Sequence, residues 1–190
     1  MSWLEHSPPT SIDCDEFIIR QYRLSDAATL RNTIRENTEH LRPWMPWIKH
    51  EPQTLEQKEE LILLWGKEWI ERSGFTMGVF LGGDLVAGTG FHVRGPVGVL
   101  EIGYWVSVHH VGRGIATSLA RRLTDVAWNI PEVTHVEIHH DKANIASERV
   151  PEKLGYHFIK TYEREPDAPG ESGEGLVWSV TREQWLNAKQ

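Results

Sequence analysis

A chain of 190 residues, 39 % apolar and 25 % charged, with a formal net charge of −7, has the make-up of a soluble globular protein with room for one sizeable core. This composition excludes disorder, collagen and coiled coil for the chain as a whole. The acidic balance argues against sequence-independent binding to nucleic-acid phosphates, which needs a basic surface. The longest apolar runs, such as Leu61 to Trp65, are far too short to span a bilayer, so no membrane partner is expected. The start of the chain, with Glu5, Asp13, Asp15 and Glu16, lacks the basic start and long apolar stretch of a signal peptide. Cys14 is the single cysteine, which excludes an internal disulfide. A reduced, cytoplasmic setting is the expectation. The negative charge serves solubility first, and is compatible with a cationic substrate such as an amine.

No internal repeat or interdomain linker is visible, so residues 1–190 read as one domain, with residues 1–14 a loose lead-in. Glu16 to Arg23 reads as a strand. Ser25 is placed to cap a helix running to about Asn37, and the following Leu41-Arg42-Pro43-Trp44-Met45-Pro46-Trp47 forbids a regular helix through its two prolines. Thr54 and Gln57 form a capping-box pattern that opens a helix to about Arg72, with Gly74 as its expected stop. Phe75 to Leu81 and Leu85 to Val93 read as strands joined by a Gly82-Gly83-Asp84 hairpin turn, and Val97 to Val108 as another strand. From Gly112 the period changes: Ile115, Leu119, Leu123, Val126 and Ile130 recur at helical steps. Val133 to His139 is a strand, Ala143 to Leu154 a helix stopped by Gly155, and Tyr156 to Tyr162 a strand. An acidic loop over 164–175, a last strand from Leu176 to Val180 and a helical turn from Arg182 complete the chain. The order predicts an α/β (α+β) fold: a mixed sheet with helices on both faces and a parallel strand-helix-strand unit within a mostly antiparallel set.

The stretch Tyr104 to Thr117 carries chemistry. It is a strand, a short turn and a glycine-rich helix start, Val111-Gly112-Arg113-Gly114-Ile115-Ala116. Two glycines let backbone approach a ligand, and the free N–H groups of a first helical turn attract phosphate. Arg113 adds a cation. Three phosphate binders use such a turn. A Walker loop needs Gly-Lys-Ser or Gly-Lys-Thr, which is absent. A dinucleotide site wants a third glycine where Thr117 stands, and usually lies in the first βαβ unit. The third owner is coenzyme A in an acyltransferase.

The segment resembles motif A of the GNAT N-acetyltransferases, Gln/Arg-x-x-Gly-x-Gly/Ala, with Val111 at the Gln/Arg position. A second block, Asn144-Ile145-Ala146-Ser147 followed by Val150-Pro151-Glu152-Lys153-Leu154-Gly155-Tyr156, looks like the Asn-x-x-Ser…Glu-Lys-x-Gly-Phe/Tyr signature of the RimJ/RimL-type branch. Trp44-Met45-Pro46-Trp47 and Glu101-Ile102-Gly103-Tyr104-Trp105 also resemble that branch. The resemblance implies a twisted sheet of about seven strands and transfer of acetyl from acetyl-CoA to a primary amine, either a protein N-terminal α-amino group or a small molecule. It further implies that backbone near Val106 and Val108 engages the pantetheine, that amides from Val111 to Ala116 receive the pyrophosphate, and that Asn144 contacts the cofactor or orders the site. A homodimer is a family-level expectation. The same fold without turnover, a CoA-binding sensor, is the alternative.

An attacking amine must be neutral, so a base is useful. Glu101, on the strand leading into the motif, is the candidate, and its bland reading is a surface carboxylate paired with a lysine. Many family members place a tyrosine acid two residues before the motif lysine; here that position is Pro151, so Ser147 is the substitute acid and Tyr156 the fallback. Trp44 and Trp47 wall the acceptor pocket or pack in the core. Glu39, Glu51 or Glu171 could meet an amine, or be solvated. The pairs His109-His110 and His139-His140 suggest metal, but adjacent strand residues face opposite sides, so no metal is expected.

Overall fold

A computed structural model describes residues 2–188. In chain order the elements are β1 (Ser11–Asp13), β2 (Ile18–Gln21), α1 (Ala27–Leu41), α2 (Leu55–Glu71), β3 (Gly74–Leu81), β4 (Asp84–His92), β5 (Val99–Val106), α3 (Ile115–Ala127), β6 (His135–Asp141), α4 (Ile145–Leu154), β7 (His157–Glu163), β8 (Glu174–Thr181) and α5 (Arg182–Asn187). The strands form one eight-stranded sheet in the order β1-β2-β3-β4-β5-β6-β8-β7. Every neighbouring pair is antiparallel except β5–β6.

The local signals in the sequence act as their chemistry dictates. Thr54 and Gln57 cap α2 reciprocally. Gly82 and Gly83, at φ 59° and 101°, supply the left-handed backbone that a tight β3–β4 turn requires. In α3, Ile115, Leu119, Ala120, Leu123 and Val126 are buried, the stripe that the three- and four-residue spacing demands. They pack on Leu100, Ile102, Val136 and Ile138 of the sheet, and each aliphatic side chain removed from water contributes about 1.5–3 kcal/mol. On the opposite face α1 and α2 bring Leu30, Ile34 and Ile62 onto Tyr22, Phe80 and Leu85.

Some expectations need correction. Ser25 does not cap α1: it lies in a 3₁₀ turn over Leu24–Asp26, the N-cap is Asp26 and the helix runs on to Leu41. The sheet has eight strands rather than about seven. The extra one is β1, inside a lead-in that is not loose: Leu4 and Ile12 are buried at 2 % and 4 % exposure. Arg72 Nε donates to the Leu4 carbonyl at 2.8 Å, and the Ser2 hydroxyl donates to the Arg72 carbonyl. Isolated apolar residues without a period gave no sign of this docking. Finally, α2 is stopped by Arg72, in the left-handed region at φ 55°, and Gly74 already belongs to β3. Among the described residues no helix is long and apolar enough to cross a membrane.

One feature of the sheet prepares the site. β5 and β6 pair only at Val99–His135, Leu100–Val136 and Glu101–Glu137. Both strands continue, β5 to Val106 on its ladder with β4 and β6 to Asp141 on its ladder with β8. Beyond Glu101 the two strands part, and a wedge opens between them.

Candidate active site

Backbone polarity lines one side of the wedge. The Ser107 N–H donates to the Val86 carbonyl at 2.9 Å. Alternation along an antiparallel ladder then turns the N–H and C=O of Val106, paired with Ala87, away from β4 and into the opening. Val108, expected to offer a second free amide, does not: its N–H donates to Asn37 Oδ1 at 2.7 Å. Asn37 is fully buried on α1 and donates in turn to the Thr33 carbonyl at 2.7 Å. The chain bends after Ser107 into a 3₁₀ turn over Val108–His110, and this hydrogen bond pins the bend to α1.

The turn that follows is a cradle. Gly112 and Gly114 have φ of 76° and 79°, a conformation that costs an L side chain about 1–2 kcal/mol. A Cβ at either position would meet no atom within 4 Å, so these glycines leave open space in front of the backbone. Gly114 is the N-cap of α3, which no side chain caps among the described residues. Val111, Gly112, Arg113 and Gly114 are exposed, while Ile115, at 8 % exposure, anchors the helix start in the core and Ala116 is half-buried. Consecutive amides aimed at empty space from a positive helix end fit a pyrophosphate.

The other wall comes from α4. Asn144 is its N-cap, and its Oδ1 accepts the Ser147 N–H at 3.1 Å. Ser147 Oγ lies 3.1 Å from the hydroxyl of Tyr104, which also donates to the Ser147 carbonyl at 3.2 Å. Burial pushes the Tyr104 phenol up to about 12 although the Ser147 contact favours its ionised form, so it stays a proton donor. Sequence reasoning missed Tyr104 because its partner lies on another element. The fallback acid Tyr156 is withdrawn: it is 4 % exposed and spends its hydroxyl on Thr124 Oγ1 at 2.6 Å, inside the core.

Beside the wedge lies a cavity of about 920 Å³ whose walls include Trp44, Trp47, Trp65 and Trp105. The Trp47 and Trp105 rings are 6.4 Å apart, and Tyr22 and Trp65 are 5.1 Å apart. Gly88 makes room for this wall, since a Cβ there would lie 2.2 Å from Trp105 Nε1. Of the acidic candidates, Glu39 is exposed and paired with Arg42, whereas Glu51 and Glu171 line the cavity and are tied to Lys58 and Arg164. The acidic loop is ordered. Asp141 accepts from Ser172 and Gly173, and Lys49 meets Asp167 at 2.8 Å. The Gly170 N–H reaches the Pro43 carbonyl at 2.9 Å, which joins this loop to the tryptophan segment.

Glu101 stands where the strands part, 7 % exposed and lining the cavity. It is not paired with a lysine; Arg94 grips both its oxygens, one of them at 2.9 Å. Burial pushes its carboxyl up, but the Arg94 hydrogen bonds, His139 and His92 outweigh this and hold it below the usual range. Such a carboxylate contributes stability above its unfolded-state pKa, and that contribution is lost as pH falls through its lower folded value. The unfolding midpoint of Arg94→Gln is therefore expected to start below wild type at neutral pH and to fall less between about pH 5 and pH 3. Parallel falls in a pH series of thermal melts would count against this ion pair.

His139 and His140 divide by face, as strand alternation requires, whereas His109 and His110 lie in the 3₁₀ turn and not on a strand. His139 Nε2 contacts Glu137 Oε2 at 2.7 Å and its Nδ1 faces Glu101 Oε2 at 3.7 Å. His140 Nε2 accepts from Trp178 Nε1 at 3.0 Å. Among the described residues no three His, Cys, Asp or Glu side chains gather as a metal would need.

Residues 16–157 match the family described as acetyltransferase (GNAT) domain. The chain is 27 % identical over 143 residues to a protein of Bacillus subtilis (strain 168) named "Putative ribosomal N-acetyltransferase YdaF", across 75 % of this chain and 78 % of that one. Two solved structures share the fold. The microcin C7 self-immunity acetyltransferase MccE, in complex with acetyl-CoA and AMP, has a TM-score of 0.83 at 16 % identity, covering 91 % of this chain and 97 % of its own. RimL, a ribosomal L7/L12 alpha-N-protein acetyltransferase in complex with coenzyme A, has a TM-score of 0.81 at 15 % identity, covering 93 % and 98 %.

Proposed function

The chain belongs to the acetyltransferase (GNAT) family, and we propose that it moves acetyl from acetyl-CoA directly to a primary amine, a protein N-terminal α-amino group. The observation that carries this reading is the parting of β5 from β6 beside an uncapped, glycine-led start of α3. The opening offers the Val106 amide to an extended ligand, and residues 111–116 offer a row of amides to a pyrophosphate. Acetyl-CoA held there supplies an activated acetyl thioester. The acceptor class follows the names of YdaF and RimL. A cavity of about 920 Å³ has room for the first residues of a peptide. The reading places the protein in the cytoplasm, where such N-termini are made.

The chain's own groups then divide the work. An amine arrives protonated at neutral pH, and the ionised Glu101 attracts it to the mouth of the wedge. The tryptophans exclude water from the approach. Ser147, with its hydroxyl against that of Tyr104, is placed on the opposite wall to give a proton to the departing sulfur. Asn144 holds Ser147 in place by capping α4.

Thermal unfolding with acetyl-CoA, CoA and NAD at matched concentration tests the first half. A ligand at a hundred times its Kd stabilises by about 2.7 kcal/mol, so the CoA species are expected to raise the midpoint by several degrees and NAD not at all. Acetyl transfer to a peptide N-terminus, followed by thiol release, tests the second half. Glu101→Gln and Ser147→Ala are expected to lower turnover while keeping the acetyl-CoA shift. No shift at millimolar acetyl-CoA would defeat the reading, and a shift without turnover on any amine would leave a CoA-binding module.

A further inference from the structure

We infer that His139, rather than Glu101, takes the proton from the acceptor amine, with Glu101 holding the ammonium and Glu137 fixing the imidazole; this rests on the acetyltransferase reading above. The placement follows from sheet register. Glu101 and Glu137 are cross-strand partners on β5 and β6, so their side chains stand on one face. His139 is two residues further along β6 and shares that face. It is the first side chain on that face of β6 beyond the point where the ladder ends, and it lines the cavity. The ring of Tyr162, on β7, packs against its ring in a T-shaped arrangement at 6.4 Å between centroids.

Two observations separate the roles. The first is that Glu101 has both oxygens engaged by Arg94. A carboxylate so gripped attracts a cation but has little appetite for a proton. The second is the contact of His139 Nε2 with Glu137 Oε2 at 2.7 Å. A carboxylate only accepts, so the proton of a neutral His139 sits on Nε2 and the lone pair on Nδ1. That lone pair faces Glu101 Oε2 across 3.7 Å with no hydrogen bond between them. One ammonium nitrogen at ordinary hydrogen-bond lengths, about 2.8–3.0 Å, reaches both atoms. Among the described residues, His92 and Arg94, at the end of β4 and just beyond it, also act on Glu101 at this corner, and the Tyr162 phenol on β7, His140, Asp141 and Arg164 line the same cavity.

The step balances. The ammonium gives one proton to His139 Nδ1, and the resulting imidazolium lies between the carboxylates of Glu101 and Glu137. The freed nitrogen pair forms the C–N bond to the acetyl carbon, and the C–S pair leaves on sulfur. The nitrogen's second proton reaches sulfur by way of the Ser147 hydroxyl, and His139 returns its proton to solvent. Glu137 acts through His139 and is a positioning residue.

The test has two arms. Histidine NMR of the free protein, without acetyl-CoA, reads the tautomer directly: neutral His139 is expected as the Nε2–H form in wild type and as a mixture in Glu137→Gln. In the kinetic arm, kcat/KM for a peptide amine is followed against pH. His139→Gln is expected to lose about 10²–10⁴-fold and to lose the wild-type inflection, with the acetyl-CoA thermal shift intact. Glu137→Gln is expected to lose less and to move the inflection. An Nδ1–H tautomer in wild type, or a His139→Gln profile that keeps the wild-type inflection, overturns the inference alone. A wild-type protein that releases no CoA with any amine overturns the acetyltransferase reading and this inference with it.

Discussion

Replacing Lys58 by Met is expected to destabilise the protein by about 3–5 kcal/mol, a fall of roughly 6–20 °C in the unfolding midpoint for a chain of this size. Lys58 projects from α2 onto Glu51, and both side chains are 2 % exposed. Among the described residues, the second Glu51 oxygen accepts only the Gln53 N–H, at 2.9 Å. Removing the ammonium therefore leaves a carboxylate buried without its counter-charge, and the missing partner matters more than the pair itself contributes. The double variant Glu51→Gln, Lys58→Met removes both charges and is expected to recover at least half of the loss. Calorimetry of the three proteins decides the matter. A single variant within about 1 kcal/mol of wild type would mean that water reaches this pair. The same residues line the cavity beside Trp65, so turnover of the double variant also tests the proposal that an acceptor enters there.

Gly114→Asp is expected to weaken acetyl-CoA binding about a hundredfold or more, a loss of roughly 2.7 kcal/mol. The substitution acts in two ways. An L residue at φ 79° is strained by about 1–2 kcal/mol, which pushes the turn away from the conformation that aims its amides outward. The new carboxylate also projects into the space that is empty in front of Gly114, where a pyrophosphate would meet a like charge. Titration of the acetyl-CoA thermal shift measures the change. Gly114→Ala separates the causes, since it keeps the strain and omits the charge, and is expected to lose only about tenfold. Wild-type affinity in Gly114→Asp would remove the cradle from the binding site. The unliganded melting point tells global unfolding from local loss.

Much of the frame was legible because its causes are local. A stripe of aliphatic residues at helical spacing can bury itself in only one way, and α3 lies where that stripe lies. Gly82-Gly83 and Gly112-x-Gly114 mark backbone that other residues resist. Thr54 with Gln57 is a cap that needs only its own turn of helix. The docked lead-in was illegible because its anchors, Leu4 and Ile12, are single residues whose partners are far along the chain.

The site divides along the same line. The fold class, the glycine turn, the family motifs and the presence of Glu101 and Ser147 near them are written locally, since each depends on neighbours within a few residues. Which groups meet is settled by packing between distant elements. Tyr104 reaches Ser147 from β5, so a phenol stands beside that hydroxyl although Pro151 occupies the place where the resembling family carries a tyrosine. Asn37 takes the Val108 amide, Arg94 takes Glu101, and Glu137 orients His139. These pairings follow from strand register and from where β5 and β6 stop pairing. Those are set by the summed packing of two cores on either side of the sheet, and no short stretch of sequence carries that sum.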